Sequence, residues 1–262
     1  MTIRIVLAQV TSTDDVDANL GTIDEYTSRA AADGAQLVVF PEAMMRCFGG
    51  ASLAEIAQPL DGPWATAVRA IAERAGITVA AGMFTPADDG RVHNTLLVTG
   101  GGVDAHYDKI HLFDAFGFAE SDTVSPGQKP LVVEIAGLRV GFAICYDVRF
   151  PGLFVTMADD GAQLHVVAAS WGSGPGKVAH WELLARARAL DTTTFVVACD
   201  QALPADYHGS APRGIGHSLV AAPDGRVLES LGEDPDLLVV DLDVDTVDAM
   251  RRSLPVLANR RF

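Results

Sequence analysis

The chain has 262 residues, 49% of them hydrophobic and 20% charged, a globular composition sufficient for one large α/β domain or two small ones. Nineteen Lys and Arg stand against 34 Asp and Glu, a formal charge of −15 with no compensating basic run, which argues against nucleic-acid binding because phosphate contacts need clustered positive charge. No apolar run approaches the roughly 20 residues of a membrane span, and the start MTIRIVLAQV lacks the basic and apolar segments of an export signal, so a cytoplasmic protein without a membrane partner is expected.

In chain order, residues 3–9 alternate as a first strand, and an amphipathic stretch over residues 17–33, closed by Gly34, predicts a helix with Leu20, Ile23 and Tyr26 on one side. QLVVF forms a second strand ending at Pro41. A second helix carries Pro63 near its start, Trp64, Val68, Ile71 and Ala75 on one face, and Gly76 at its end. ITVAAGM, VHNTLLVTG and VDAHY are three further strands, the first two separated by the turn PADDG. Regular patterning stops over residues 108–130, and connections of that length are commonly functional. LVVEI and LRVGFAI then pair across a tight turn at Ala136 and Gly137, followed by a helix led by Pro151 and ending near Gly161. LHVVAAS, a helix over residues 178–190, TFVVACD, GIGHSLVA, RVLESL and LLVVDLD complete a second half of similar make-up. No linker or repeat divides the halves, so one α/β domain over residues 1–262 is expected, with two sheets face to face and helices outside.

Cys47, Cys145 and Cys199 are odd in number and lack CxxC spacing, and the seven histidines form no HExxH or HxH pair. Neither a disulfide framework nor a metal site is expected, and no cofactor is implied. GSGPGK does not fit a phosphate loop: that frame would need Gly at Trp171, and Val178 stands where Ser or Thr belongs. No GxSxG elbow is present for a serine nucleophile.

Three strands are each followed by a reactive side chain: Glu42 after QLVVFP, Lys109 after VDAHYD and Cys145 after LRVGFAI. Strand ends hold side chains rigidly at the rim of a crevice. A thiol ionises near 8.5 and needs a base or a nearby positive charge, and a carboxylate shielded from water can be that base. A lysine ammonium can stabilise both the thiolate and the oxyanion formed when an amide carbonyl is attacked. Against this stands the ordinary reading of a Glu or Lys past a strand as a solvated loop residue, and of a strand-end Cys as an inert hydrophobe. Cys199 in TFVVACD is read as inert. Cys145 precedes Pro151 and a helix start, whose dipole is expected to lower the thiol pKa. Lysine is scarce, with only Lys109, Lys129 and Lys177 beside sixteen arginines, which singles out Lys109; Lys129 and Lys177 are assigned to the surface.

FPEA with Glu42, YDKIHLFD with Lys109 and GFAICYDVRFP with Cys145 resemble, in order and spacing, the motifs of the carbon–nitrogen hydrolase family, or nitrilase superfamily, over nearly the whole chain. The resemblance implies a four-layer α-β-β-α sandwich of two mixed sheets, no cofactor, and homo-oligomers paired through helices. It makes Glu42 the general base, Lys109 the catalytic lysine, Cys145 the nucleophile, and Glu120 in GFAESDTVSPG a second glutamate that orients the lysine. It further implies an oxyanion donor at the backbone N–H of Tyr146 and an acyl pocket lined by Ser170 and Trp171. Arg186 and Arg188 of HWELLARARALD are expected in ion pairs under the site. Within the superfamily, IHLFD and CYDVRFP look most like Nit-type amidases, whose substrates include deaminated glutathione and 2-oxoglutaramate.

Arg149 either binds a substrate carboxylate, whose shape a guanidinium matches, or pairs with Asp147 or Asp108. Asp191-Thr192-Thr193 and WGSGPGK depart from the Nit pattern and put the leaving-group pocket in question. The expected function is a cysteine-dependent amidase acting on a small carboxylate-bearing amide. The alternatives are another amide or carbamoyl hydrolase, an acyl transferase using the same thiol, or a non-catalytic binding protein.

Overall fold

Residues 1–50, 52–204, 207–209 and 211–261 are described by a computed structural model. The first strand, β1 (Thr2–Gln9), shows why the chain layers as it does. Side chains alternate along a strand, so Ile3, Ile5 and Leu7 enter one apolar cluster while Val6 and Ala8 enter another on the opposite face.

The second cluster is covered by α1 (Val16–Ala32) and α3 (Pro63–Ala75), with a short α2 (Leu53–Ile56) between them. Asp15 caps α1 through its carboxylate, which accepts from the N–H groups of Asp17 and Ala18 at 3.0 Å each. Its buried stripe is Asn19, Ile23, Thr27 and Ala30, one turn apart, with Leu20 and Tyr26 on the stripe's edge. Pro63 opens α3, and Gly76 ends it at φ +71°, as the sequence predicts.

β2 (Leu37–Val39), β3 (Thr78–Pro86), β4 (Val92–Gly100) and β5 (Val103–Asp108) follow. The 108–130 connection holds a two-residue hairpin, β6 (Asp114–Ala115) and β7 (Phe118–Ala119), and a 3-10 turn at Glu120–Asp122. The second half runs β8 (Leu131–Ile135), β9 (Leu138–Ile144), α4 (Pro151–Asp159), β10 (Leu164–Ala169), α5 (Lys177–Thr192), β11 (Phe195–Asp200), β12 (Leu219–Ala221), β13 (Val227–Ser230) and β14 (Asp236–Asp243). Helices α6 (Asp245–Ser253) and α7 (Val256–Asn259), absent from the sequence reading, close the chain.

The two large sheets have the orders β14-β1-β2-β3-β4-β5 and β13-β12-β11-β10-β9-β8. Each has a parallel centre, β1-β2-β3 or β9-β10-β11, and antiparallel margins. The inner faces meet: the Cys199 thiol of β11 donates to the Val39 carbonyl of β2 at 3.3 Å. Outside the second sheet, α4 contributes Phe154 and Met157 and α5 contributes Trp181 and Ala185 to the core. The architecture is the expected α-β-β-α sandwich of two mixed sheets. Facing sheets place the ends of β2, β5 and β9 at one rim.

GIGHSLVA is not one strand. Only Leu219–Ala221 pairs, because Gly214, Gly216 and His217 have φ of +96°, +69° and +55°, outside any β conformation. The backbone there is tied to Trp171, Asp200 and Gln201. No helix among the described residues is long and apolar enough to cross a membrane.

His165 of β10 is buried, its ring edge-on to Phe154 at 5.2 Å. Thr192 donates to the Arg188 carbonyl, so Thr194 must donate to Thr192, and His165 Nδ1–H must donate to Thr194. That leaves Nε2 a bare buried acceptor. Burial, with Arg251 nearby, pushes the imidazole down to about 3, whereas in the unfolded chain it ionises near 6.5. The unfolded state therefore takes up the proton first, and this contribution to stability is complete above 6.5 and lost as pH falls towards 3. Between pH 6.5 and 4.5 the loss is roughly 2–3 kcal/mol. Urea titrations should show His165→Gln losing less stability than the native protein over that interval by about this amount; parallel pH dependences would disprove it.

Candidate active site

Glu42 follows β2 through Phe40 and Pro41, and a left-handed residue, Ala43 at φ +60°, comes next. This turn lies directly on β3: Phe40 N–H donates to Ala80 and Met45 N–H to the Gly82 carbonyl. A Cβ on Gly82 would stand 2.5 Å from the Ala43 nitrogen, so only glycine lets β3 come this close. Glu42 is thereby fixed with its carboxylate buried. Its Oε1 accepts from Asn94 Nδ2 at 2.7 Å and Lys109 Nζ at 3.0 Å, and its Oε2 from the Ser170 N–H at 2.8 Å.

Lys109 is the first residue past β5, and its N–H donates to the Asn94 carbonyl. Its ammonium bridges two carboxylates, with Glu120 Oε2 at 2.9 Å beside the bond to Glu42. Glu120 is locked in turn by the Phe113 N–H at 2.7 Å and by Asn94 Nδ2 at 3.2 Å.

Cys145 is the first residue past β9, with φ +47°, a left-handed conformation that is strained for a residue with a Cβ. The 3-10 turn Cys145–Arg149 is held from several sides. Asp147 accepts from the Ile144 N–H, the His111 N–H and ring, and the Tyr107 hydroxyl at 2.7–2.9 Å. Arg188 donates to the Val148 carbonyl at 2.7 Å.

Glu42, Lys109, Glu120 and Cys145 line one cavity, with Phe113, Tyr146, Arg149, Ser170, Trp171 and Lys177 among its walls. Every site residue singled out in the sequence is therefore brought together. Their details differ from expectation in several places. Ser170 contributes its N–H to Glu42, but its hydroxyl donates to the Pro212 carbonyl, so it forms a wall with no free hydroxyl proton. Arg149 makes no ion pair with Asp147 or Asp108: the former is occupied by the turn, the latter accepts from the Thr95 hydroxyl. Its guanidinium instead lies 5.2 Å from the Trp171 ring. Arg188 does pair with Asp191 beneath the nucleophile turn, whereas Arg186 pairs with Glu182 and reaches the Gly225 carbonyl, away from the cavity. Residues 191–193 are likewise absent from the cavity wall, so that departure from the Nit pattern does not bear on it, while Trp171, Gly172 and Lys177 of WGSGPGK do.

Lys177 corrects the surface assignment: it lines the cavity and rests over Phe116 at 4.9 Å. Asn94, Asp200 and Gln201 went unrecognised. Asn94 bridges the two glutamates, and Gln201 donates to the Glu42 carbonyl. Asp200 accepts the N–H groups of Trp171 and Ile215 at 2.7 and 2.8 Å, tying the cavity wall at Trp171 to the segment that follows Pro212. It also ends a strand, so the rule that finds Glu42 would have found it.

The electrostatics follow from burial. Glu42 is raised by desolvation, with Glu120 adding to it and Lys109 and Asn94 opposing it. Burial disfavours the Lys109 charge, but Glu120 and Glu42 outweigh it and hold the amine well above the usual lysine range. Burial and then Glu42 push the Cys145 thiol well up despite Lys109. The expected helix-start lowering is overturned: the thiol sits at a five-residue turn, buried beside carboxylates, and rests as a neutral thiol. Burial pushes Asp200 up to about 7 against three backbone donors. Among the described residues no group of three or more His, Cys, Asp or Glu side chains is placed to hold a metal ion.

The carbon-nitrogen hydrolase family model matches residues 4–252. The chain belongs to the carbon–nitrogen hydrolase family. It is 56% identical to a hydrolase of Mycobacterium tuberculosis, covering 98% of this chain and 95% of that one. It is 36% identical to the deaminated glutathione amidase of Escherichia coli O157:H7, covering 90% and 88%. The amidase from Nesterenkonia sp. AN1 superimposes with a TM-score of 0.82 at 30% identity, covering 99% and 96%, and one structure of that enzyme carries acrylamide added to its active-site cysteine. The protein is thus a hydrolase of carbon–nitrogen bonds, an amidase of the nitrilase superfamily.

For this carbon–nitrogen hydrolase, Asn94 supplies a test of the buried network. Its amide lowers Glu42 by donating to the ionised carboxylate, so Asn94→Leu raises Glu42 further. The acid limb of the pH–rate profile should move to higher pH, with kcat down roughly 10- to 100-fold for loss of a charge-assisted bond. An unmoved limb with only a lower Tm would reduce Asn94 to a structural part.

Proposed function

We propose that the chain, acting as one domain, is a cysteine-dependent amidase that cleaves a small carboxylate-bearing amide such as deaminated glutathione through a thioester. The observation that carries this reading is the carboxylate–ammonium–carboxylate array of Glu42, Lys109 and Glu120 beside a neutral, buried Cys145. The raised Glu42 takes the thiol proton as sulfur attacks the amide carbon. The oxyanion is met by the Lys109 ammonium and the Tyr146 N–H. Collapse breaks the C–N bond while Glu42 returns the proton to the departing nitrogen. Glu42 then removes a proton from water, which adds to the thioester, and the acid leaves as the thiol regains its proton. Glu120 positions Lys109, since a lysine shared by two carboxylates keeps its charge throughout.

Arg149 supports a carboxylate on the substrate, being a cavity guanidinium without an ion-pair partner among the described residues. Ser170 and Trp171 wall the acyl group. The likeness to an amidase for deaminated glutathione agrees with this substrate; 2-oxoglutaramate, which shares the acyl part, is the second reading. Exposed Leu183 and Leu190 on α5 and Leu254 past α6 support pairing of subunits through helices.

Purified protein should release 2-oxoglutarate from deaminated glutathione, 2-oxoglutaramate or both, and Cys145→Ala should abolish it by at least about 10³-fold. Release that survives the substitution would refute the thiol mechanism. No release from either, with Cys145 still alkylated by iodoacetamide, would refute the substrate class and leave the nucleophile standing.

A further inference from the structure

We propose that Lys177 joins Arg149 in a two-cation clamp on the carboxylate of the substrate's acyl chain, an assignment that rests on the amidase reading above and adds a specificity-determining residue to it. Both side chains line the cavity of Cys145, and neither has an acidic partner within ion-pair distance among the described residues. This is unexpected in a chain with 34 acids for 19 Lys and Arg, in which most buried or half-buried cations elsewhere are paired.

Lys177 is also placed against its own helix. It is the first residue of α5, where the backbone dipole is positive, and the first turn contains no acid. Its ammonium rests on the faces of Phe116 and Phe113, at 4.9 and 5.9 Å, and the Arg149 guanidinium on Trp171. Burial and then the Arg149 charge depress its basicity. Three positive sources thus meet without a counter-charge: an arginine, a lysine and a helix N-terminus. Aromatic faces hold the two cations in place without neutralising them. A bound carboxylate would relieve their repulsion, and its two oxygens suit a guanidinium on one side and an ammonium on the other.

The cavity is also polarised. Around Lys109, Glu42 and Glu120 outnumber the ammonium, giving a net negative charge while the thiol is neutral; elsewhere in the lining Arg149 and Lys177 have no acidic partner among the described residues. An amide bearing a carboxylate at its far end is oriented by that field with its uncharged scissile carbonyl towards Cys145 and its carboxylate towards Lys177. A neutral amide of the same length gains no such orientation.

The test compares glutaramate with pentanamide, which replaces the distal carboxylate by a methyl group. Ammonia release by the native protein should favour glutaramate, and Lys177→Met should lower the ratio of the two kcat/KM values by at least about fivefold, mainly through KM, while Lys177→Arg retains most of it. A smaller change in that ratio, whatever happens to either rate, overturns the clamp. Calorimetric titration of the same two amides into Cys145→Ala and Cys145→Ala/Lys177→Met proteins reads recognition without turnover. Preferential, Lys177-dependent binding by a protein that hydrolyses neither amide would refute the amidase reading for these substrates and keep the clamp. Hydrolysis of both with no preference would do the reverse.

Discussion

The Lys109 ammonium held between Glu42 and Glu120 is the interaction on which the rest of the site depends. Two buried carboxylates cannot both stay ionised side by side without a cation, and a buried ammonium holds its charge best between two of them. Together they make a fixed charge pattern that burial strengthens, because the low local dielectric magnifies each attraction. Burial, with the excess negative charge adding to it, keeps the neighbouring thiol protonated, and in the proposed mechanism the nucleophile forms only as its proton passes to Glu42. A buried thiol that rests neutral is also protected from chance oxidation, since thiolate character governs that chemistry.

Holding this array demands a scaffold with little freedom, and the double sheet supplies it. Glu42, Lys109 and Cys145 each leave the end of a strand, and each is fixed by a neighbouring strand or turn: Gly82 under the Glu42 turn, Asn94 beside Lys109, Asp147 and Arg188 around Cys145. The left-handed conformation of Cys145 is tolerated because those bonds over-determine the turn. Asp200 carries the same principle outward, joining the wall residue Trp171 to the backbone at Ile215. Glu42, Lys109 and Cys145 are set by strand ends, whereas Arg149 and Lys177 enter the same cavity from the turn after Cys145 and the start of α5.

The catalytic array was legible because its members sit at strand ends, where hydrophobic alternation stops and a polar residue stands out. Glu42, Lys109 and Cys145 could be picked out in this way, and motif spacing added Glu120. Asn94 could not. It lies within an apolar strand, where a single amide is as compatible with solvent on one face as with a buried bridge. Lys177 was misplaced for a related reason: a lysine after a glycine-rich segment reads as solvated until α5 is seen to start at the cavity. Arg149 had two competing partners in the sequence, and only the occupation of Asp147 and Asp108 by other donors removed them.

The sequence by itself determined the layered α/β class, most strand and helix positions, and the chemical types available for catalysis, because periodicity and local punctuation are properties of neighbouring residues. The tertiary structure alone decided which polar groups share a buried space, that the thiol rests neutral, and that GIGHSLVA bends to bond Trp171, Asp200 and Gln201 instead of continuing as a strand. Those outcomes depend on burial and on distances between residues far apart in the chain, 128 positions in the case of Glu42 and Ser170, and pKa and hydrogen-bond competition are set by such distances and not by local order.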